Sequence, residues 1–238
     1  LYLVTERNCL QQQTLEQAVE QAILGGVTLV QLREKAIASK EFYERALRIK
    51  AICHRYNVPL LINDRVDIAL AVEADGVHIG QSDLPCGVVR QILGKDKIIG
   101  VSARTAQQAI QAQADGADYL GVGAMFATST KQDAQTVTIA SLTQIRQAVT
   151  LPIVAIGGIN HTTLPALQQA LQAADTSMGG VIDGVAVVSA ILGQKDVKLA
   201  SEKLKEMITS FTNLGLAEWL LQRRVARRKR AILPSTKW

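Results

Sequence analysis

The stretch Val27-Thr28-Leu29-Val30-Gln31-Leu32-Arg33-Glu34-Lys35 begins apolar and ends in charge. Its first half reads as a buried strand. Side chains alternate along a strand, so Gln31, Arg33 and Lys35 point to one side and Leu32 and Glu34 to the other. Two cations and an amide gathered where an apolar strand ends suit an anion, with planar two-point reach from Arg33. Taken alone, such a pair reads better as a solvated strand end. The reading changes because later strands end in the same way.

Moving outward from this stretch, short apolar runs alternate with longer amphipathic ones. Strands are expected at 1–5, 27–33, 60–63, 76–79, 98–102, 119–123, 153–156 and 185–189, with helical stretches at 14–24, 40–56, 105–114, 141–149, 163–173 and 197–211. Strands this short and apolar, separated by helices, imply a parallel sheet of right-handed βα units. Eight units over residues 1–211 imply a single α/β domain, a (βα)8 TIM barrel, followed by a basic C-terminal extension at 212–238. A doubly wound open sheet fits less well, because no Gly-x-Gly-x-x-Gly turn follows the first strand and no second domain is available. Ala74-Asp75-Gly76 and Gly116-Ala117-Asp118 repeat as turns into strands.

The 238 residues are 48% hydrophobic, enough for one large core. The net charge of +5 divides unevenly. Residues 212–238 hold seven Lys/Arg and one Asp/Glu, leaving nineteen against twenty in residues 1–211. A general polyanion surface on the body is thereby unsupported, and no nucleic acid or membrane partner is expected for it. The tail joins an apolar stretch at 214–221 to a basic one at 222–230. It fits an anionic partner, membrane or nucleic acid, and equally a docking helix, a solvated extension or a stretch leading to something missing. No apolar run is long enough to span a bilayer. Cys9, Cys53 and Cys86 lack metal-type spacing, and reduced thiols in a cytoplasmic protein are expected. With no initiator Met, and a strand at the first residue, the chain is expected to begin inside a longer one.

In a barrel of this kind the active site lies at the C-terminal strand ends. The second strand offers Gln31, Arg33 and Lys35 there, the third Asn63 and Asp64, the fourth Asp83, and the fifth Ser102. The sixth leads into Thr128-Ser129-Thr130-Lys131, the seventh into Gly157-Gly158, and the eighth into Val188-Ser189. Asp64 and Asp83, on adjacent loops and without His or Cys neighbours, suit a hard cation such as Mg2+ completed by substrate oxygens. Singly, Asp64 also reads as a helix N-cap and Asp83 as a turn former before Pro85. The Gly157-Gly158 pair and Ser189 suit a phosphate met by backbone N–H groups. Two anionic groups are therefore expected, a metal-bridged pyrophosphate and a monophosphate. With no nucleophile elbow or obvious Ser or Cys base pair, charge stabilisation of a leaving group is the expected chemistry. His78, inside the fourth strand, reads more readily as a satisfied core residue than as a base; His54 and His161 read as structural or solvated.

Assembled in order, the segments LYLVT, VQLREK, LLINDRVDIAL, ADGVHIGQSDLP, IIGVSARTAQQA, GADYLGVGAMF with TSTK, PIVAIGGI and DGVAVVSAI resemble the thiamine-phosphate synthase family from residue 1 to about residue 191. The resemblance implies an Mg2+-dependent transfer that joins hydroxymethylpyrimidine pyrophosphate to thiazole phosphate, releasing pyrophosphate by a dissociative route. It implies that Gln31, Arg33, Lys35, Asn63, Ser102 and Lys131 hold the pyrimidine pyrophosphate, with Leu32 and Glu34 in the same substrate-binding run. Arg33, Lys35, Lys131 and Ser102 would be catalytic, and Asp64 and Asp83 the metal ligands. Thr128, Ser129, Thr130, Gly158, Val188 and Ser189 would line the thiazole phosphate site. Ala127 stands where the family usually has Pro, and 175–182 is longer than the usual link. The rival readings are a thiazole tautomerase-like barrel, which needs no pyrophosphate cradle, and a non-catalytic sensor of thiazole phosphate.

Overall fold

The computed structural model describes residues 1–128, 136–174 and 180–209. Elements alternate as β1 (Tyr2–Val4), α1 (Leu15–Leu24), β2 (Leu29–Leu32), α2 (Ser39–Arg55), β3 (Leu60–Asn63), α3 (Val66–Ala71), β4 (Gly76–Ile79) and α4 (Cys86–Leu93). They continue through β5 (Ile98–Ala103), α5 (Ala106–Ala114), β6 (Tyr119–Val122), α6 (Ile139–Ala148), β7 (Ile153–Ile156), α7 (Leu164–Ala173), β8 (Gly184–Val187), α8 (Ser189–Leu192) and α9 (Val197–Thr209). All neighbouring strands pair in parallel, and β8 returns to β1, so the sheet closes into an eight-stranded barrel.

The expected (βα)8 barrel is what forms, with two informative shifts at strand ends. β2 stops at Leu32 because the Arg33 N–H bonds the Thr5 hydroxyl at 3.0 Å. The eighth strand stops at Val187, because the Val188 carbonyl already accepts from Ile191 and Leu192 and starts α8. Helix starts follow local chemistry. Thr14 and Gln17 form a reciprocal capping box on α1, and Thr105 and Thr138 cap α5 and α6 through their hydroxyls.

Alternation sorts the strand side chains into two cores. Leu3, Val30, Leu32, Ile62 and Leu120 face the helices in the larger cluster. Truncating such an enclosed side chain to Ala costs about 2–5 kcal/mol. Tyr2, Val4, Leu29, Leu61, Ile98, Tyr119, Val154 and Ala186 fill the barrel itself.

The recurring Asp turns have a shared cause. Asp75 accepts the Leu60 N–H at 2.9 Å, Asp118 that of Ile99 at 2.9 Å, and Asp183 that of Ile153 at 2.9 Å. Each also donates its own N–H to the carbonyl of that residue. A two-point clamp thus joins β3 to β4, β5 to β6 and β7 to β8 at the end opposite the mouth. Asp183 is a third copy of the turn, which the repeated Ala/Asp/Gly pattern does not reveal. Buried Val181 and Ile182 lead into β8 at that same far end. No helix among the described residues is long and apolar enough to cross a membrane.

Candidate active site

At the C-terminal strand ends lies a cavity of about 360 Å³. Gln31, Arg33, Asn63 and Ser102 form one part of its lining, and Thr128, Gly158, Val188 and Ser189 another. Lys35, Asp64 and Asp83 stand at the rim beside it, after β2, β3 and β4. Ser129, Thr130 and Lys131 lie outside the described residues, as does all of 212–238.

The rim after β2 to β4 is a web of opposite charges. Lys35 Nζ is 2.6 Å from an Asp64 carboxylate oxygen, and the Arg33 guanidinium grips Glu6, which follows β1. Asp64 has a left-handed backbone, φ +60°, which turns its carboxylate to Lys35 and Asp83. It is therefore not the helix cap; Arg65 holds that position and makes no side-chain capping bond. Asp83 does shape its turn, accepting the Gly80 N–H at 2.7 Å. Burial, joined by the neighbouring Asp64 carboxylate, raises the Asp83 carboxyl above its ordinary range, against the Gly80 N–H and Lys35.

Leu32, the last residue of β2, and Glu34, just beyond it, lie elsewhere. Leu32 is fully enclosed against the helices. Glu34 is held by Arg45 at 2.6 Å and Arg7 at 2.9 Å, its side chain only 3% exposed. Neither side chain lines the cavity.

The rim after β7 and β8 carries no such charges. Gly157 and Gly158 have φ of +96° and +67°, a region costly for other residues. A Cβ on Gly158 would also fall 2.6 Å from the Ala127 carbonyl oxygen. The segment is pinned from behind, Thr163 donating to the Gly158 carbonyl at 2.9 Å. Ser189 opens α8 at the same edge.

The floor is polar, which the sequence reading missed. Gln31 Nε2 donates to the Tyr2 hydroxyl, and Tyr2 and Tyr119 share a hydrogen bond of 2.9 Å. Tyr119 meets His78 Nδ1 at 2.8 Å, and His78 Nε2 meets Ser102 Oγ at 3.0 Å. His78 is thus a satisfied strand residue, as expected, and also part of the cavity lining. Burial raises both tyrosines well above the usual phenol range.

Comparison with known proteins gives the family. A family model described as thiamine monophosphate synthase matches residues 1–191. A thiamine-phosphate synthase of Clostridium tetani is 57% identical over 204 residues, covering 86% of this chain and 93% of that one. One of Ruminiclostridium cellulolyticum is 56% identical over 210 residues, covering 88% and 95%. The chain belongs to the thiamine monophosphate synthase family. Among solved structures, a thiamine phosphate pyrophosphorylase of Pyrococcus furiosus superposes with a TM-score of 0.75 at 33% identity, covering 92% of this chain and 96% of that one.

Family membership makes the chain an enzyme of thiamine biosynthesis, a transferase that releases pyrophosphate. It also gives the rim a test to meet, since hard divalent cations favour oxygen donors. Among the described residues no three His, Cys, Asp or Glu side chains gather as a closed metal cage. Two adjoining carboxylates, one held in an unusual backbone turn toward the other, fit the alternative, in which Mg2+ keeps waters and shares substrate phosphates.

Three residues in or behind the cavity wall left little or no mark in the sequence. Glu6 gave no signal, since nothing ties it to Arg33 across 27 positions. Tyr2 and Tyr119 lie within apolar strand runs, where nothing in the sequence singles them out directly. The available clue was Gly100 and Gly121 inside apolar strands, where a missing side chain marks space taken by a neighbour.

Proposed function

We propose that the two rims divide the substrates. The charged rim after β2 to β4 takes the pyrophosphate of hydroxymethylpyrimidine pyrophosphate, and the uncharged rim after β7 and β8 takes the phosphate of the thiazole. The single observation that carries this reading is the contrast itself. Arg33 lines one side of the cavity, with Lys35, Asp64 and Asp83 on the loops that follow β2, β3 and β4, while the other side offers glycine backbone and hydroxyls. The rival tautomerase reading leaves the charged rim without a task.

Asp64 and Asp83 would hold Mg2+, whose chemistry there is to neutralise charge on the departing pyrophosphate. Arg33 and Lys35 add fixed positive charge beside it, with Lys131 assigned the same role. The pyrimidinylmethyl C–O bond breaks with its electron pair leaving on pyrophosphate. The thiazole nitrogen then supplies the pair for the new C–N bond. Gln31, Asn63 and Ser102 hold the pyrimidine end over the polar floor, and Thr128, Ser129, Thr130, Gly158, Val188 and Ser189 hold the thiazole phosphate. Excluding water protects the cationic carbon between the two steps.

Residues 1–211 are the catalytic unit in this reading, and 212–238 contribute nothing to turnover. Three free cysteines agree with work in the reducing cytoplasm. The test mixes the protein with both phosphorylated substrates and Mg2+, with an EDTA control, and follows thiamine phosphate by mass spectrometry. Metal-dependent product supports the proposal. Binding of thiazole phosphate without product favours the tautomerase or sensor reading instead.

A further inference from the structure

The chain of hydrogen bonds under the cavity has a direction, and that direction reaches the substrate. We propose that Tyr2 and Tyr119 are positioning residues that hold His78 as the tautomer with its hydrogen on Nε2, so that Ser102 turns its hydroxyl hydrogen into the cavity. This deepens the proposed function and rests on it for the identity of the occupant.

The hydrogens available along the chain set its direction. A phenol has one hydrogen to give, and a neutral imidazole donates from one nitrogen and accepts at the other. Gln31 Nε2 donates to Tyr2, and the only other group bonded to the buried Tyr2 hydroxyl among the described residues is Tyr119, 2.9 Å away, so the Tyr2 hydrogen goes there. The Tyr119 hydrogen goes on to His78 Nδ1 at 2.8 Å. His78 Nε2 then carries the remaining hydrogen and gives it to Ser102 Oγ at 3.0 Å. Ser102, which lines the cavity, has its own hydrogen left for whatever sits there. Turning the Gln31 amide over would reverse every step and make Ser102 an acceptor from the ligand. The orientation in the structure selects the donor. Burial that holds both phenols in their neutral form keeps the chain intact.

The barrel is built around these rings. Strand register sets Gly100 beside both His78 and Tyr119. A Cβ on Gly100 would lie 2.1 Å from Tyr119 Cζ, and one on Gly121 would lie 2.9 Å from His78 Cε1. Two neighbouring strands thus give up side chains to seat the two rings. An aimed donor at Ser102 assists an oxygen that gains negative charge as the C–O bond breaks, without reorganising during the reaction.

The decisive experiment reads the tautomer directly. The chain has three histidines, His54, His78 and His161, so long-range 1H–15N correlation spectra of the 15N-labelled full chain are assignable with H78Q. The expected result is a protonated Nε2 and an unprotonated Nδ1 in His78. A hydrogen on Nδ1, alone or together with Nε2, overturns the proposal. Tyr119→Phe removes the donor to Nδ1. It should shift the His78 hydrogen toward Nδ1 and lower kcat about tenfold while KM changes little, a fraction of what losing a whole oxyanion donor costs. An unchanged tautomer in Tyr119→Phe contradicts the positioning role, whatever happens to activity. If that variant does not fold, Tyr2→Phe breaks the chain one step earlier and is read the same way. Failure of the proposed function would look different, as an intact Nε2–H tautomer in a protein that forms no thiamine phosphate.

Discussion

In the proposed reading the two rims of the cavity would recognise anions by opposite means. After β2 to β4 the side chains carry charge, and they are already paired with one another, Arg33 with Glu6 and Lys35 with Asp64. After β7 and β8 the recognition elements are backbone and hydroxyls, and Gly157 and Gly158 are locked in a conformation set by their φ angles. The difference teaches what each side gives up on binding. A charged ligand must displace existing ion pairs on the first rim, whereas the second is preorganised. On the proposed division, strength of charge would go where a leaving group must be stabilised, and rigidity where a substrate has only to be held.

Breaking the charged rim should have the largest effect. Replacing Asp83 by Asn is expected to lower kcat by about a hundredfold to a thousandfold, the scale of losing one strong stabiliser of leaving-group charge. Steady-state assays of thiamine phosphate formation check this, and near-native turnover would remove Asp83 from the metal site. Arg33→Ala should fall in the same range.

Breaking the rigid rim should act on one substrate alone. Gly158→Ala places a Cβ 2.6 Å from the Ala127 carbonyl oxygen at a φ of +67°. Forcing another residue into such a conformation costs roughly 1–3 kcal/mol. Thiazole phosphate affinity should drop about tenfold or more, since 1.4 kcal/mol is about one factor of ten. Calorimetric binding of inorganic pyrophosphate should be unaffected; equal loss of both ligands would merge the two rims into one site.

A milder change sharpens the idea that ion pairs must open. Glu6→Gln releases Arg33 from its partner and should tighten pyrophosphate binding by about twofold to fivefold, the scale of a weakly worth, partly exposed pair. Weaker binding would mean that Glu6 positions Arg33 instead of competing for it. The smallest effect belongs to deletion of residues 212–238. This removes seven cations from the chain, yet kcat and pyrophosphate affinity should stay within about twofold if the local cluster supplies the charge.

Much of this was legible in residue order, and the limits have a physical pattern. Period-two alternation separated Leu32 from Gln31 within β2, whereas Glu34, beyond the strand, is turned away by its ion pairs with Arg45 and Arg7. The apolar strand cores gave the barrel, and the ends of adjacent strands gave the neighbourhood of Asp64 and Asp83. Partners across the barrel were not legible, because closure joins positions that sequence holds apart. Tyr2 and Tyr119 touch across 117 positions, and the ring of His78 bonds Tyr119 across 41. His78 also shows why residue type alone misleads. It satisfies its own hydrogen bonds within a strand and still faces the cavity.

The division of labour between the rims is tested most directly by titrating the protein with inorganic pyrophosphate and, separately, with thiazole phosphate, each with Mg2+ and with EDTA. The account expects pyrophosphate binding to require the metal and to vanish in Asp83→Asn, while thiazole phosphate binds within about twofold the same in all conditions. Metal dependence shared equally by both ligands, or absent from both, would contradict it.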